Sequence, residues 1–178
     1  MDLTQLIDLY RGPLTGLIAS WGVPWHDAAE IAQDSFAEAY LSRDSCRGLW
    51  SEPEVFGPWL SGVARNRYRN WARSHKRRRN HVVTVESTSL ESVAAPADPQ
   101  PDPQLEKLRS AIEQLPLKQR QVVLMHYLEE TSVKEVAILL SLTEKTVEGR
   151  LYQARRTLRR LLEGKVSISQ IGRMLLCL

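Results

Sequence analysis

Apolar positions recur along this chain at intervals of three and four residues. Two-residue alternation is nearly missing: "HVVTV" (81–85) comes closest, and it is short. The pattern predicts helices near 2–20, 26–42 and 55–79, then near 104–114, 117–129, 132–140 and 144–163. Pro13 is expected to bend or interrupt the first helix, because its ring removes a backbone donor and crowds the preceding turn. Pro116 suits the first position of a helix after a break at Leu115. Between the two groups runs "VVTVESTSLESVAAPADPQPDPQ" (82–104), with four prolines and no aromatic residue. Such a stretch has little to bury and reads as a linker. The expected fold class is all-α: two small helical domains, 1–81 and 105–163, joined by a flexible linker, with a further apolar extension at 164–178.

Angular position, at about 100° per residue, separates faces within the predicted helices. In "HDAAEIAQDSFAEAYLS" (26–42), Ala29, Ala32, Phe36 and Tyr40 gather on one side, which Trp25 extends. That side is expected to face inward. Asp27, Glu30, Asp34 and Glu38 fall within about 80° of one another on the opposite side. Ile31 and Leu41 sit among them, and large apolar residues in an acidic stripe favour a protein-binding face over a merely solvated one.

In "VFGPWLSGVARNRYRNWARSHKRRR" (55–79), Phe56, Leu60, Val63, Ala64 and Trp71 form the expected core stripe. Arg65, Arg69, Arg73 and Lys76 line up on the other side. Trp59, Asn66, Asn70 and Arg77 border that strip, with Arg67 turned toward the apolar side. An indole and two amides beside a row of guanidinium groups suit stacking on bases and hydrogen bonding to their edges.

"SVKEVAILLSLTEKTVEGRLYQARRTLRRLL" (132–162) reads as helix, tight turn, helix. Val136, Ala137, Leu139 and Leu140 supply the first inward face. Thr143 is suited to cap the second helix. Val147, Leu151, Ala154, Leu158 and Leu161 make that helix's inward stripe, leaving Lys145, Glu148, Gly149, Tyr152, Arg156 and Arg159 outward. This is helix-turn-helix spacing, whose second helix enters a DNA major groove by its N-terminus.

Charge sharpens the division. The net charge of +3 conceals blocks: residues 1–60 hold three basic and nine acidic side chains, and 61–81 hold eight basic and none acidic. Residues 82–104 carry four acids, and 105–163 eleven basic against eight acidic groups. Segregation of this kind points to separate surfaces for separate partners, one of them a nucleic acid. A 43% hydrophobic and 25% charged composition is that of a folded soluble chain. No apolar run approaches the roughly 18 residues of a membrane span, and the N-terminus carries acids where a signal peptide needs positive charge. The expected location is cytoplasmic. Cys46 and Cys177 are too few for a disulfide framework. His26, His75, His81 and His126 are scattered without metal-ligand spacing, and no phosphate-cradling glycine loop is present. The expectation is a non-enzyme without metal or cofactor.

With these segments in place, the chain resembles a bacterial RNA polymerase sigma factor of the extracytoplasmic-function class, in the sigma-70 family. "HDAAEIAQDSFAEAY" resembles the helix that binds core polymerase. "FGPWLSGVARNRYRNWARSHKRR" resembles the segment that melts and reads the −10 element. "LPLKQRQVVLMHYLEETSVKEVAILLSLTEKTVEGRLYQARRTLRRLL" resembles the domain that reads the −35 element. The resemblance implies that Asp27, Glu30, Ile31, Gln33, Asp34 and Glu38 dock on core RNA polymerase. It implies that Trp59, Arg65, Asn66, Arg69, Asn70, Arg73 and Lys76 engage the −10 DNA, with the loop from Gly48 to Val55 receiving an extruded base. It implies that Thr143, Lys145, Thr146, Glu148, Arg150, Tyr152 and Arg155 hold or read the −35 DNA. Promoter DNA, core polymerase and an anti-sigma factor or other regulatory protein are the implied partners, without membrane insertion.

Three departures stand out. Glu148-Gly149 replaces the family's usual Lys-Ser, Ser141 replaces a usual turn glycine, and "RGLWSEPEV" (47–55) lacks the common pattern. A helix-turn-helix regulator acting without polymerase is the main alternative, but it leaves the acidic stripe and the Trp-bearing basic helix without a role. In the extension, Met174, Leu175, Leu176 and Leu178 suit either packing on the chain's own domain or a regulatory segment.

Overall fold

The computed structural model describes residues 1–82 and 103–162, with side chains placed up to Arg78 and again from Pro103. The linker expected at 82–104 and the extension at 164–178 lie almost wholly outside these residues. Every regular element described is helical.

Three long helices come first: α1 (Leu3–Ala19), α2 (Trp25–Leu41) and α3 (Pro53–Val82), with a short 3-10 turn at Arg43–Ser45. Asp2 caps α1, accepting from the Gln5 backbone N–H at 2.8 Å while the Gln5 side chain accepts from Asp2 N–H at 3.0 Å. This reciprocal cap satisfies two otherwise orphaned donors. Pro13 does not interrupt α1, which runs through it without a break. Pro13 is buried and followed by the buried run Leu14–Ile18, so packing holds the helix where one backbone bond is lost. Pro58 is likewise carried inside α3.

The second group is α4 (Pro103–Glu113), α5 (Leu117–Val123), α6 (Val133–Leu140) and α7 (Glu144–Leu161). Pro116 caps α5 from just outside rather than occupying its first position. The predicted helix 117–129 changes character midway, because Leu124–Leu128 widens into a π segment. Glu130 then takes a left-handed φ of 48°. His126 Nδ1 donates to the Thr131 carbonyl at 2.6 Å, tying the exit of the π segment to the start of the next turn.

Ser132 and Glu135 form a reciprocal cap at the start of α6. Ser141 ends α6 in the left-handed region, φ 54° and ψ 48°, the conformation for which glycine is usual. Thr143 then caps α7, its hydroxyl accepting from Thr146 N–H at 3.2 Å.

The core is not divided as the linker suggests. One apolar cluster joins Leu6, Tyr10 and Leu14 of α1, Phe36 of α2 and Phe56 and Leu60 of α3 to Val122, Met125, Val136, Leu139 and Leu151 of the second group. A smaller cluster around Leu108, Ile112, Val123 and Leu158 closes the second group on its own side. The two groups therefore meet along an apolar seam as well as through the chain that links them.

Candidate functional site

Three surfaces carry the sequence-predicted residues. On α2 the buried face consists of Ala28, Ile31, Ala32, Ser35, Phe36 and Ala39. It lies about a quarter turn from the expected inward stripe. Trp25 and Tyr40, expected inside, are 39% and 46% exposed. Ile31, expected in the docking stripe, is 5% exposed and belongs to the core. The reason is steric: Ala28, Ser35 and Ala39 let α2 approach α1 and α3 closely, and the Ser35 hydroxyl donates to the Ile31 carbonyl at 2.6 Å.

Glu30, Gln33 and Asp34 are exposed, and Asp27 and Glu38 are half-buried. Glu38 Oε2 accepts from Arg67 of α3 at 2.7 Å, so the acidic stripe borders α3 instead of facing directly away from the core.

On α3, Phe56, Leu60 and Ala64 are buried, and Arg65, Asn66, Arg69, Asn70, Arg73, Lys76 and Arg77 are exposed in the expected strip and flank. Trp59 is half-buried, its ring edge-on to Phe56 with centroids 6.0 Å apart. The indole expected to face bases is thus seated partly against the core.

A second aromatic series runs further along the helix. Tyr68 leans on Trp21 at 5.0 Å and on Trp71 at 6.3 Å, and Trp71 stacks on His75 at 4.9 Å and 19°. The Arg65 guanidinium lies 5.9 Å above the Trp21 ring. Nothing in the sequence marks Trp21 and His75 as members of this series. Their loop and i+4 placement gives signals too weak to separate from plain packing. In the loop after the 3-10 turn, Gly48 takes φ 111° and Leu49 is 66% exposed, while Trp50 packs against the core.

On α7, Val147, Leu151, Ala154 and Leu158 are buried. Thr143, Lys145, Thr146, Glu148, Gly149 and Tyr152 are exposed, Tyr152 at 65%. Arg150 and Arg155 are half-buried, and Arg155 Nε donates to the Leu151 carbonyl at 3.3 Å. These two guanidinium groups are more enclosed than Lys145, Glu148, Gly149, Tyr152, Arg156 and Arg159, which are all exposed on the outward face. Glu148 makes no ion pair among the described residues.

Burial perturbs three groups. Desolvation pushes the Tyr10 hydroxyl up, helped by Glu54 and Glu135, and that hydroxyl donates to the Pro53 carbonyl at 2.9 Å. Burial raises the Glu129 carboxyl, partly opposed by Arg11. Burial also raises the Cys46 thiol, which disfavours a reactive thiolate. Among the described residues no three His, Cys, Asp or Glu side chains are grouped as metal ligands, and no helix is long and apolar enough to cross a membrane.

A capped second helix with an open polar face, set after a tight left-handed turn, defines a helix-turn-helix unit. Residues 105–158 match the family described as Sigma-70, region 4. Over 138 residues the chain is 36% identical to "Probable RNA polymerase sigma factor RfaY" of Xanthomonas campestris pv. campestris, covering 73% of this chain and 32% of that protein. The chain thus spans about a third of the length of that relative. Against the ECF RNA polymerase sigma factor SigM of Bacillus subtilis the identity is 26% over 164 residues, covering 90% of this chain and 95% of that one.

Two solved structures share the fold at a TM-score of 0.53. The sigma factor RpoE of Bartonella quintana, in complex with the anti-sigma factor NepR, is 22% identical, with 93% of this chain and 99% of that one covered. CnrH, in complex with the cytosolic domain of CnrY, is 24% identical, with 92% and 89% covered. Residues 105–158 thus match the sigma-70 region 4 family, and the chain as a whole is similar to RNA polymerase sigma factors, among them ones of the extracytoplasmic-function class.

Proposed function

We propose that this protein is an alternative sigma factor: it binds core RNA polymerase in the cytoplasm and directs initiation at promoters by engaging their −10 and −35 elements. It acts by binding and positioning, leaving bond-making to the polymerase. Residues 1–81 form the unit for polymerase docking and −10 opening, 82–104 the linker, and 105–163 the −35-reading unit. The observation that carries this reading is the pairing, in one chain, of the open polar face of α7 with the exposed Arg65–Arg69–Arg73 strip of α3.

Each surface suits its task. Holding duplex requires phosphate contacts and a few base-edge contacts, which Lys145, Thr146, Glu148 and Tyr152 can make near the N-terminus of α7. Opening DNA requires unstacking, at a few kcal/mol per base, offset by stacking and amide contacts. On α3, Asn66 and Asn70 supply the amides beside the guanidinium strip. Asp27, Glu30, Gln33, Asp34 and Glu38 supply the polymerase-facing stripe. With Ile31 in the core, the apolar part of that contact falls to Leu41, which is 77% exposed. A partner of the anti-sigma kind, like NepR bound to the sigma factor RpoE of Bartonella quintana, would compete for these surfaces.

Neither unit need hold DNA tightly alone, because joint tethering on polymerase raises the effective concentration of each. The deciding experiment adds purified protein to core polymerase and measures promoter-specific run-off transcription. Specific transcripts are expected only from the combination. Tight operator binding by free protein, with no polymerase requirement, would instead establish a regulator that is not a polymerase subunit.

A further inference from the structure

The turn that leads into α3 leaves one large apolar side chain outside. Leu49 is 66% exposed, while the next residue, Trp50, packs against the core. The segment around Leu49 is pinned on both sides. Glu52 N–H donates to the Leu49 carbonyl at 2.9 Å and closes the turn. Just beyond, the buried Tyr10 hydroxyl donates to the Pro53 carbonyl at 2.9 Å. On the near side Gly48 takes φ 111°, and a Cβ there would stand 3.3 Å from Val55 Cγ1. Trp50 fills the inward place, so Leu49 is held at the tip. The contact of Gly48 with Val55 also fixes which side of α3 the turn covers. At about 100° per residue, Val55, Gly62, Asn66 and Arg73 fall within about 40° of one another on that helix. Gly62 is exposed, with open space where a side chain would stand. The turn therefore sits at the N-terminal end of the face that carries Asn66 and the guanidinium strip.

We propose that Leu49 is a specificity-determining residue, which meets the 5-methyl group of a thymine in the −10 element. The assignment rests on the sigma-factor reading of α3. A leucine side chain neither donates nor accepts hydrogen bonds, so an amino or carbonyl edge turned toward it loses its bond to water. Thymine alone among the bases offers a methyl group for such a contact. The reach agrees: from Val55 to Asn66 is about 17 Å of helix, or about five base pairs at 3.4 Å each. One short element therefore touches both the turn and the amide flank. Charge at the turn is mixed, because Arg47 and Glu52, both exposed, stand on either side of Leu49. A phosphate attracted by one is repelled by the other and gains little at the tip, which leaves the tip to a base.

The test uses holoenzyme assembled from core polymerase and the full chain, on a promoter selected from a randomised pool. Each thymine of the −10 element, on either strand, is replaced singly by deoxyuridine, which removes only the methyl group. Run-off transcription at limiting holoenzyme reads each template. At one position uracil should lower transcription roughly fourfold, the effect of one methyl-sized group leaving water. Leu49→Ala should erase that difference, and Leu49→Met should keep it. A selected −10 element without thymine overturns the proposal, as does a wild type equally active on every uracil template; neither result depends on a variant. A Leu49→Ala holoenzyme that keeps the full uracil penalty overturns it too. If Leu49→Ala keeps that penalty and also binds core polymerase more weakly, Leu49 is a protein contact instead. Promoter-specific transcription without a methyl-sensitive position removes the role of Leu49 alone. Absence of specific transcription from every template overturns the sigma-factor reading and the proposal with it.

Discussion

Glu148→Lys is the most informative single change on the DNA-facing surface. Glu148 is exposed at the start of the second turn of α7 and has no ion-pair partner among the described residues, so its carboxylate is free to meet DNA. A carboxylate there repels phosphate but can accept from a cytosine amino group; an ammonium prefers the O6 and N7 acceptors of guanine. One base contact of this kind is worth about 1–3 kcal/mol, roughly a fivefold to 150-fold preference at one position. The cost to folding is small, because an acid near a helix N-terminus contributes about 0.3–1 kcal/mol. Selection of −35 sequences from a randomised promoter pool, using holoenzyme assembled with each protein, reads the outcome. One position of the preferred −35 sequence should change identity, while the −10 preference stays as it was. An unchanged −35 preference would show that Glu148 does not read a base, and its place on the open face would then be incidental.

Three further outcomes are expected. Gly149→Ala should stabilise the fold by about 1 kcal/mol, since a Cβ there meets nothing within 4 Å and alanine favours the helix; thermal melting would read this as a rise of a few degrees, and transcription that falls despite it would mark close backbone approach to DNA. Thr143→Ala should cost about 1 kcal/mol by removing the side-chain acceptor of the Thr146 N–H, whereas Thr143→Ser should retain most of the cap, as urea unfolding would show. Burial raises the Glu129 carboxyl, so its protonated form favours the folded state: stability is fully present below the ordinary carboxylate range and is lost as pH rises through the raised value. Glu129→Gln should flatten that decline, and melting curves that stay parallel for both proteins across the range would contradict it.

Much of the local architecture is legible in the sequence, because it rests on strong signals. The Ser132 and Thr143 caps, the apolar stripe of α7 and the alignment of Arg65, Arg69 and Arg73 all follow from residue type and spacing. The buried face of α2 is harder to place, because large aromatics dominate a periodicity reading and draw it toward Trp25 and Tyr40. Close helix packing selects Ala28, Ser35 and Ala39 instead, and Ser35 hides its polarity in a backbone hydrogen bond. Trp59 and Trp71 lie about 120° apart on the helix, yet both are half-buried against the core, so angle alone does not assign them. The seam is the least legible feature. Gly12, Gly16 and Gly57, which face the second group across it, carry no hydrophobic signal, and the widening at Leu124–Leu128 has no sequence mark distinguishing it from ordinary helix.

The glycines of the seam also have a genetic side. Every non-synonymous single-base change in a glycine codon that does not stop translation introduces a side chain with a Cβ. Codons 12, 16 and 57 thus admit no amino-acid replacement that leaves the seam as it is. At Gly16, where the three nearest neighbours are backbone atoms of Leu124 and Met125, any such change must displace the π segment, so alleles at that codon should lower the melting temperature of the protein.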